Sequence, residues 1–356
     1  MALCRPDVFG KLEPMDNRRE SWVDYAKAIG IILVVYGHVA RGLHNSQITM
    51  NEHFYKLADN FVYSFHMPLF FFLSGLYFVK SFNKRTTKEF VFSKIDTIVY
   101  PYILWSLIQG LTEATLSAYT IGTVTYAEVF ALLWQPRAQF WFLYALVLIF
   151  LFSTIIYRYF KINKTSIFLL ISFVLLISKS YLPWTLFSNY IFTFLIYFAL
   201  GMFFQENNIK TKLGKTSVAV CITLLFLTSQ YLTLWQAELF RNVTVITSLF
   251  NSMISISFVV VISLLLSKFN FVTLRLIGIS SMAIYLLHIL AGSSVRVALQ
   301  KIAGTNLYEI HIVMGLFTGV FAPILLVYLS KKIRLPFIES APISNMFSFM
   351  AKKSRC

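Results

Sequence analysis

An apolar run, YAKAIGIILVVYGHVARGL, occupies residues 25–43 and decides the fold, because it is long enough to cross a membrane as one helix. It carries Lys27 and His38, which are both costly in such a helix. At about 100° per residue, the step from Lys27 to His38 exceeds three full turns by roughly 20°, so both side chains lie on one stripe. Their Cα atoms are about 16 Å apart along the axis, which places His38 near mid-membrane if Lys27 lies at one face. A titratable group at that depth indicates function.

The composition agrees with an integral membrane protein. The chain has 356 residues, of which 58% are hydrophobic and 13% are charged, whereas soluble domains carry about a quarter charged residues. The net charge of +16 would suit a nucleic-acid partner. However, the basic residues fall in short loops between apolar runs, which is typical of membrane topology, so we expect membrane lipid and no nucleic acid around this chain.

Apolar windows of about 17 to 25 residues predict ten membrane spans. The first five are predicted near Tyr25–Leu43, Asn60–Val79, Ile98–Leu116, Phe140–Tyr157 and Ser166–Leu182. The other five are predicted near Leu186–Phe204, Ser217–Trp235, Val243–Leu266, Leu274–Gly292 and His311–Leu329. The third span is the weakest, because Pro101, Gln109 and Glu113 interrupt it.

The loop charges set the orientation. With these spans, one side of the membrane receives 24 of the 31 Lys and Arg residues and the other side receives 7. Such a bias predicts that both termini are cytoplasmic. We therefore expect an all-α integral membrane protein, a bundle of about ten transmembrane helices. Its transmembrane domain would cover residues 22–334, between cytoplasmic tails at 1–21 and 335–356.

Two further histidines lie deep in predicted spans. His66 is thirteen residues from the cytoplasmic end of the second span, and His288 is thirteen residues into the ninth. Both depths are about 20 Å at helical rise, close to that of His38. The three imidazoles are thus predicted to share one layer, although depth alone does not show that they face each other. Each could instead only hydrogen-bond a neighbouring helix.

Other polar features can be explained by structure alone. Ser74 and Gly75 are typical of a small-residue packing notch, and Pro68 of a kink. The basic stretch from Lys80 to Lys94 is partly explained by the topology rule. In the functional reading, a neutral buried histidine takes a proton from a hydroxyl and a lysine binds phosphate. No nucleotide loop, metal-ligand spacing or Gly-x-Ser-x-Gly motif accompanies these residues, so no metal is expected.

Several segments in order resemble the acyltransferase family 3 group, the multi-pass bacterial O-acyltransferases of cell-surface glycans. They are WVDYAKAIGIILVVYGH at 22–38, HMPLFFFLSG at 66–75, YPY at 100–102, FWFL at 140–143 and SMAIYLLH at 281–288. The first segment fits the family's basic-residue-x10-His signature. The chain departs from the family in KIDTIVYP at 94–101, where members often carry paired arginines.

The resemblance implies an inner-membrane O-acetyltransferase that moves acetyl from acetyl-CoA to a glycan hydroxyl, with a lipid-linked lipopolysaccharide O-antigen repeat as the expected acceptor. It implies that His38 is the general base, and that His66 or His288 orients the acceptor or stabilises the oxyanion. Donor contacts are expected from Lys27, Lys84, Arg85, Lys88 and Lys94. Acceptor contacts are expected from Asp24, Arg41, Ser74, Trp141 and Tyr285.

Two other functions stay open at this point. A transporter or flippase for lipid-linked glycans would also be a multi-pass bundle, but its deep ionisable residues would usually include carboxylates. The acidic residues Asp24, Asp96 and Glu113 fall near span ends here. An inactive scaffold with the family fold is the second possibility. Neither direct transfer nor an acyl-enzyme is favoured by the residues alone.

Overall fold

The computed structural model describes residues 20–48, 50–117, 123–160, 164–179, 181, 185–235, 244–333 and 338–343. These residues form helices and contain no β-strand. Nine helical segments among them are long and apolar enough to cross a membrane, and a tenth apolar helix, Thr165–Ser178, is shorter. The expectation of an all-α multi-pass membrane protein is confirmed. The predicted tails, 1–21 and 335–356, lie almost wholly outside the described residues.

The helices follow the predicted spans in order. The first eight are α1 (Ser21–Asn45), α2 (Glu52–Tyr63), α3 (His66–Gly75), α4 (Phe78–Asn83), α5 (Thr87–Lys94), α6 (Tyr100–Thr115), α7 (Tyr126–Phe130) and α8 (Trp141–Tyr159). The other eight are α9 (Thr165–Ser178), α10 (Leu186–Glu206), α11 (Ile209–Leu213), α12 (Thr216–Trp235), α13 (Val245–Leu266), α14 (Val272–Ile279), α15 (Ser281–Lys301) and α16 (Tyr308–Lys332).

Helix α1 lies at the centre of the bundle. It packs against α2, α3, α13, α14, α15 and α16. Helix α10 packs on the other side of α3 and also contacts α8 and α9. Large apolar side chains such as Leu170, Leu224 and Phe317 are more than half exposed on the outside of the bundle. An outer surface of this kind suits hydrocarbon rather than water.

The second span is not one continuous helix. It breaks between α2 and α3, directly before His66. Pro68 has no N–H and so leaves the carbonyl of Ser64 without its helical donor. The Ser252 hydroxyl donates to that carbonyl oxygen at 2.8 Å. Inside a bilayer, a freed backbone group needs such a partner, and α13 supplies it.

The third and ninth spans also differ from their predicted forms. A five-residue π-helix, Ile95–Val99, joins α5 to α6 directly before Pro101, where the proline cannot continue the regular hydrogen-bond ladder. The ninth span was predicted at Leu274–Gly292, and this placement was wrong. Helix α14 is separate, and α15 runs from Ser281 to Lys301, so residues assigned to an outer loop are helical.

Candidate functional site

Two of the predicted histidines meet in the structure. His38 lies in the second half of α1 and His288 lies in α15, and their ring centroids are 5.0 Å apart at an interplanar angle of 56°. Both side chains line a cavity of about 590 Å³. This volume is within the range that holds small organic ligands in proteins. Helix α1 and helix α15 pack side by side, which brings the two rings together.

Hydrogen bonds indicate the tautomer of His288. Its Nδ1 lies 3.0 Å from the carbonyl oxygen of Ile284 and 2.9 Å from that of Tyr285. Carbonyl oxygens only accept, so Nδ1 carries the proton and Nε2 presents a lone pair. Nε2 is buried and has no hydrogen-bond partner among the described residues. An unpaired buried acceptor in a cavity wall is suited to take a hydroxyl proton.

His66 is buried outside the cavity that the other two histidines line. It is 2% exposed, and its Nδ1 donates to the Val62 carbonyl at 2.6 Å across the helix break. Its ring meets the Tyr63 ring edge-on, with centroids 4.7 Å apart. Tyr63 in turn fills the space beside Gly37, where an added Cβ would lie 3.0 Å from the phenol ring. His66 is not among the residues that line the cavity, and its chemical role stays a prediction.

Arg41 lies one turn beyond His38 and lines the cavity. Its Nε and Nη2 donate to both carboxylate oxygens of Asp59, at 2.6 and 2.8 Å. The guanidinium also lies over the Tyr63 ring, 3.2 Å from its centroid. A bidentate ion pair of this kind fixes the orientation of the guanidinium. The structure thus places an oriented guanidinium in the cavity wall, and the acceptor contact of Arg41 stays a prediction.

A polar network on α6 and the segment before α8 reaches the cavity through Glu113 and Arg137. Gln139 Nε2 donates to Gln109 Oε1 at 2.7 Å, and Gln109 Nε2 donates to Glu113 Oε1 at 2.8 Å. Glu113 also pairs with Arg137 at 3.3 Å. The Tyr285 hydroxyl donates to the Gln139 carbonyl. The polar residues that weaken the third span therefore bond one another here, and Tyr285 anchors α15 to them.

Small residues of α16 allow this helix to pack closely against α1. A Cβ on Gly319 would lie 2.6 Å from Val35 Cγ1, and a Cβ on Gly315 would lie 2.7 Å from Val39 Cγ1. Glycines four residues apart on one face are typical of tight helix contacts in membranes. Because Val35 and Val39 flank His38 along α1, these contacts set the position of its imidazole.

The cavity lies on the side of the bundle away from Lys27. Its lining comes from the last turns of α1 and α6, the second half of α15 and the start of α16. Lys27 is partly buried in the second turn of α1. The separation of about 16 Å between Lys27 and His38 follows from continuous helix. His38 therefore lies at the inner end of a cavity, with Lys27 three turns further on.

The start of α1 is held by a close contact with α14. Asp24 is completely buried and its carboxylate lies 3.6 Å from Arg275 Nε. A Cβ on Gly278 would lie only 1.8 Å from the Asp24 carbonyl oxygen, so the two backbones touch. Asp24 is not a lining residue of the cavity. Its predicted acceptor contact stays a prediction, beside an observed ion pair that holds two helices together.

Apart from Lys27 on α1, the predicted donor residues lie on α5 and in the turn between α4 and α5. Lys84, Arg85 and Lys88 are exposed. Lys94 is partly buried, with its ammonium 4.1 Å from the centroid of the Phe150 ring. At the same end of the bundle, Lys210 pairs with Glu20, the residue before α1, at 2.8 Å. The structure thus presents an exposed basic surface, and donor binding by it stays a prediction.

Ser74 and Trp141 lie in packed surroundings. The Ser74 hydroxyl donates to the Phe70 carbonyl of its own helix at 2.8 Å. Next to it, a Cβ on Gly75 would lie 2.0 Å from the Phe198 carbonyl oxygen, so this is a contact of α3 with α10. Trp141 stacks on Tyr190 with ring centroids 5.7 Å apart. Neither Ser74 nor Trp141 lines the cavity, and their acceptor roles stay predictions.

Sequence reasoning missed part of the cavity. Arg296 and His311 both line it, as do Glu113 and Arg137. Arg296 lies beyond Gly292, the predicted end of the ninth span, and so fell in a predicted loop. His311 was taken as the first residue of the last span. The signal in the sequence was that both are ionisable residues near the ends of predicted spans.

A family model described as an acyltransferase domain matches residues 20–330. The chain belongs to this acyltransferase family. The match covers all the segments that carried the resemblance in the sequence, from the first span to the last. It therefore confirms that resemblance, and the chain is a multi-pass membrane protein of the acyltransferase family.

Two curated relatives are similar over part of their length. The nodulation protein NolL of Sinorhizobium fredii is 26% identical over 175 residues, which are 46% of this chain and 43% of that protein. The nodulation protein NolL of Mesorhizobium japonicum is 26% identical over 157 residues, which are 43% of this chain and 39% of that protein. The chain thus matches about two fifths of the length of each. No solved structure matches.

Proposed function

We propose that this acyltransferase-family protein is an inner-membrane O-acetyltransferase, which moves the acetyl group of acetyl-CoA to a hydroxyl of a cell-surface glycan. The observation that carries the proposal is the outward cavity with His38 and His288 at its inner end. A lipid-linked lipopolysaccharide O-antigen repeat is the proposed acceptor, on the basis of the family resemblance. The name of the two relatives, nodulation protein, does not specify an acceptor.

The chemistry needs one base and a path for the donor. The acceptor hydroxyl gives its proton to an imidazole as its oxygen attacks the thioester carbonyl carbon. The new ester C–O bond forms, the C–S bond breaks, and coenzyme A leaves as a thiolate that takes up a proton. His38 is the proposed base, and His288 Nε2 is close enough to share or accept that proton. Both direct transfer and an acyl-enzyme are compatible with this arrangement.

The donor is proposed to bind at the other end of α1. Lys27 and the exposed basic residues of α5 and of the turn before it would contact the phosphates of acetyl-CoA, since ammonium and guanidinium groups bind phosphate well. The loop-charge bias predicts that this end is cytoplasmic, where acetyl-CoA is found. Lys27 to His38 then spans about 16 Å, a distance that an extended pantetheine arm would cross to bring its thioester to the imidazoles.

The test is acetyl transfer in membranes supplied with labelled acetyl-CoA and a glycan acceptor. His38→Ala is expected to lower transfer by about 10²- to 10⁴-fold, the usual loss of a general base. The matched control is His53→Ala, which removes an exposed histidine of α2 outside the cavity. Protein amount and unfolding temperature are measured for each variant.

The same assay separates the alternative functions. Normal transfer by well-folded His38→Ala protein would refute the assignment of the base. Movement of glycan across the membrane by the wild type, without any transfer of label, would support the transporter. Neither transfer nor transport by a folded wild type would support an inactive scaffold.

A further inference from the structure

Arg296 is a deeply placed cation in the outer half of the cavity. It is 9% exposed and lines the cavity from α15. Its Nη1 donates to the Ser46 hydroxyl at 2.7 Å and to Gln300 Oε1 at 3.3 Å. Both of these oxygens belong to neutral side chains. The guanidinium is thus oriented by hydrogen bonds, which do not neutralise its charge.

The other two arginines of the cavity are neutralised. Arg41 pairs with Asp59, and Arg137 pairs with Glu113. In the described part of the chain, no carboxylate lies within ion-pair distance of Arg296. A charge withdrawn from water without a counter-charge is costly, and a charged ligand that completes the pair recovers part of that cost. Among the described residues, Arg296 is therefore the cavity arginine whose charge is not neutralised.

The position of this charge relative to the histidines is set by two helices. Ser46 lies eight residues after His38, and Arg296 lies eight residues after His288. Each interval corresponds to about 12 Å along a helix axis. The guanidinium is bonded to Ser46, so it lies near the level of that residue, well outward of the imidazoles. A hydroxyl at the imidazoles and an anion at Arg296 would thus belong to different units of one extended molecule.

A second unpaired group lies in the same wall. His311 is 1% exposed, its Nε2 lies 2.9 Å from the Thr305 carbonyl oxygen, and its Nδ1 has no hydrogen-bond partner among the described residues. Nε2 therefore donates and Nδ1 offers a buried lone pair. Such an acceptor fits a ligand hydroxyl. The cavity offers an anion contact and a hydroxyl contact together, as an acidic carbohydrate requires.

We propose that Arg296 is an anion-binding subsite, and that the acceptor glycan carries a carboxylate or phosphate on a unit next to the one that is acetylated. This rests on the proposed acetyl transfer for the identity of the ligand, but the subsite itself rests on the charge balance of the cavity. A carboxylate would come from an acidic sugar, and a phosphate from the lipid diphosphate that carries the glycan. The guanidinium fork accepts either oxyanion.

Three acceptors distinguish these sources: a neutral oligosaccharide, the same oligosaccharide with one uronic acid, and the neutral oligosaccharide on an isoprenoid diphosphate. For the acceptor that carries the recognised anion, Arg296→Gln is expected to raise KM by about 10- to 100-fold, as for loss of a charged hydrogen bond. Its kcat and the KM for acetyl-CoA should change little. Arg296→Lys should retain part of the affinity, because it keeps the charge and loses the fork.

The matched control is Lys301→Gln, which removes the same charge from an exposed position of the same helix. It should leave the KM for every acceptor unchanged. Equal losses for Lys301→Gln and Arg296→Gln, or an equal loss on all three acceptors by Arg296→Gln, would overturn the subsite. So would an unchanged KM for both charged acceptors in Arg296→Gln protein.

Binding without transfer separates this inference from the proposed function. The unfolding temperature of the purified wild type is measured with each acceptor and no acetyl-CoA. A rise with a charged acceptor that is absent in Arg296→Gln supports the subsite, even if the wild type transfers no acetyl and the proposed function fails. Transfer by the wild type with equal binding of charged and neutral acceptors would keep the proposed function and refute the subsite.

Discussion

The contact between α16 and α1 offers a direct test of how the histidine pair is positioned. Gly319→Ala would put a methyl group 2.6 Å from Val35 Cγ1. Val35 is fully buried in a helix, and a valine there has essentially one rotamer, so its methyl cannot swing away. Ordinary contact begins near 3.4 Å, so α1 and α16 must separate by about 0.8 Å, which is the difference between these two distances.

The same shift reaches the histidines. The Gly319 Cβ position lies 3.9 Å from His288 Cβ, and Val35 lies one turn before His38. A misplacement of about 1 Å at a reacting centre can cost 10²-fold in rate. We therefore expect Gly319→Ala to lower kcat for acetyl transfer by about 10- to 100-fold. We also expect it to lower the free energy of unfolding by about 1–3 kcal/mol, the usual cost of overpacking.

Two variants make this prediction specific. Gly214→Ala is the matched control, because the nearest atoms to its added Cβ would lie at 3.6 and 3.8 Å and it is outside the spans. It should leave both kcat and stability close to wild type. In Val35→Ala/Gly319→Ala protein the clashing methyl groups are gone, so kcat should recover relative to Gly319→Ala alone. Wild-type kcat in Gly319→Ala, or no recovery in the double variant, would refute the reasoning.

Three further predictions follow from the other contacts. Gly75→Ala should destabilise the protein more than Gly319→Ala, since its Cβ would lie 2.0 Å from a backbone oxygen of Phe198; thermal unfolding in detergent checks this, and an unchanged unfolding temperature would contradict it. Lys27→Ala should raise the KM for acetyl-CoA, and Lys27→Arg should raise it less; equal losses would exclude a simple charge contact with phosphate. Ser74→Ala should change transfer by less than about twofold, because the hydroxyl bonds its own helix; a large loss of kcat would show a direct role.

The course of the chain through the membrane was predictable because apolar length and loop charge both report on the bilayer. The first span, with Lys27 and His38 on it, has its predicted place, since α1 is one regular helix and the arithmetic of helical rise applies throughout. The same arithmetic is less useful for His66. The second span breaks at that residue, and the rotation of α3 relative to α2 depends on Ser252 of another helix.

The rest of the cavity depends on contacts between distant helices. Arg296 was misplaced because α15 continues through Gly292, Ser293 and Ser294, which would end an isolated helix but are stabilised here by packing along α1 and α16. The pairing of Gln109 with Gln139 likewise joins residues thirty positions apart. Local sequence rules carry no information on such pairs. From the sequence, the polar residues of the third span therefore appeared only as interruptions of an apolar run.

The last prediction concerns whether His38 and His288 act together or separately in catalysis. Their rings are 5.0 Å apart, and the buried Nε2 of His288 has no hydrogen-bond partner among the described residues. Two imidazoles this close, which serve one proton, should act as a unit. When residues act as a unit, the loss of rate in the double variant is smaller than the product of the losses in the single variants. Each single variant, His38→Ala or His288→Ala, should therefore lower kcat by about 10²- to 10⁴-fold.

The double variant His38→Ala/His288→Ala should lose little more than the worse single variant, because the proton-transfer step is already lost. Independent roles would instead multiply, and the double variant would fall by the product of the two single losses. That product, measured with protein of normal unfolding temperature, would show that the two histidines act separately. A small loss for His288→Ala alone would assign the base to His38 and leave His288 as part of the cavity wall.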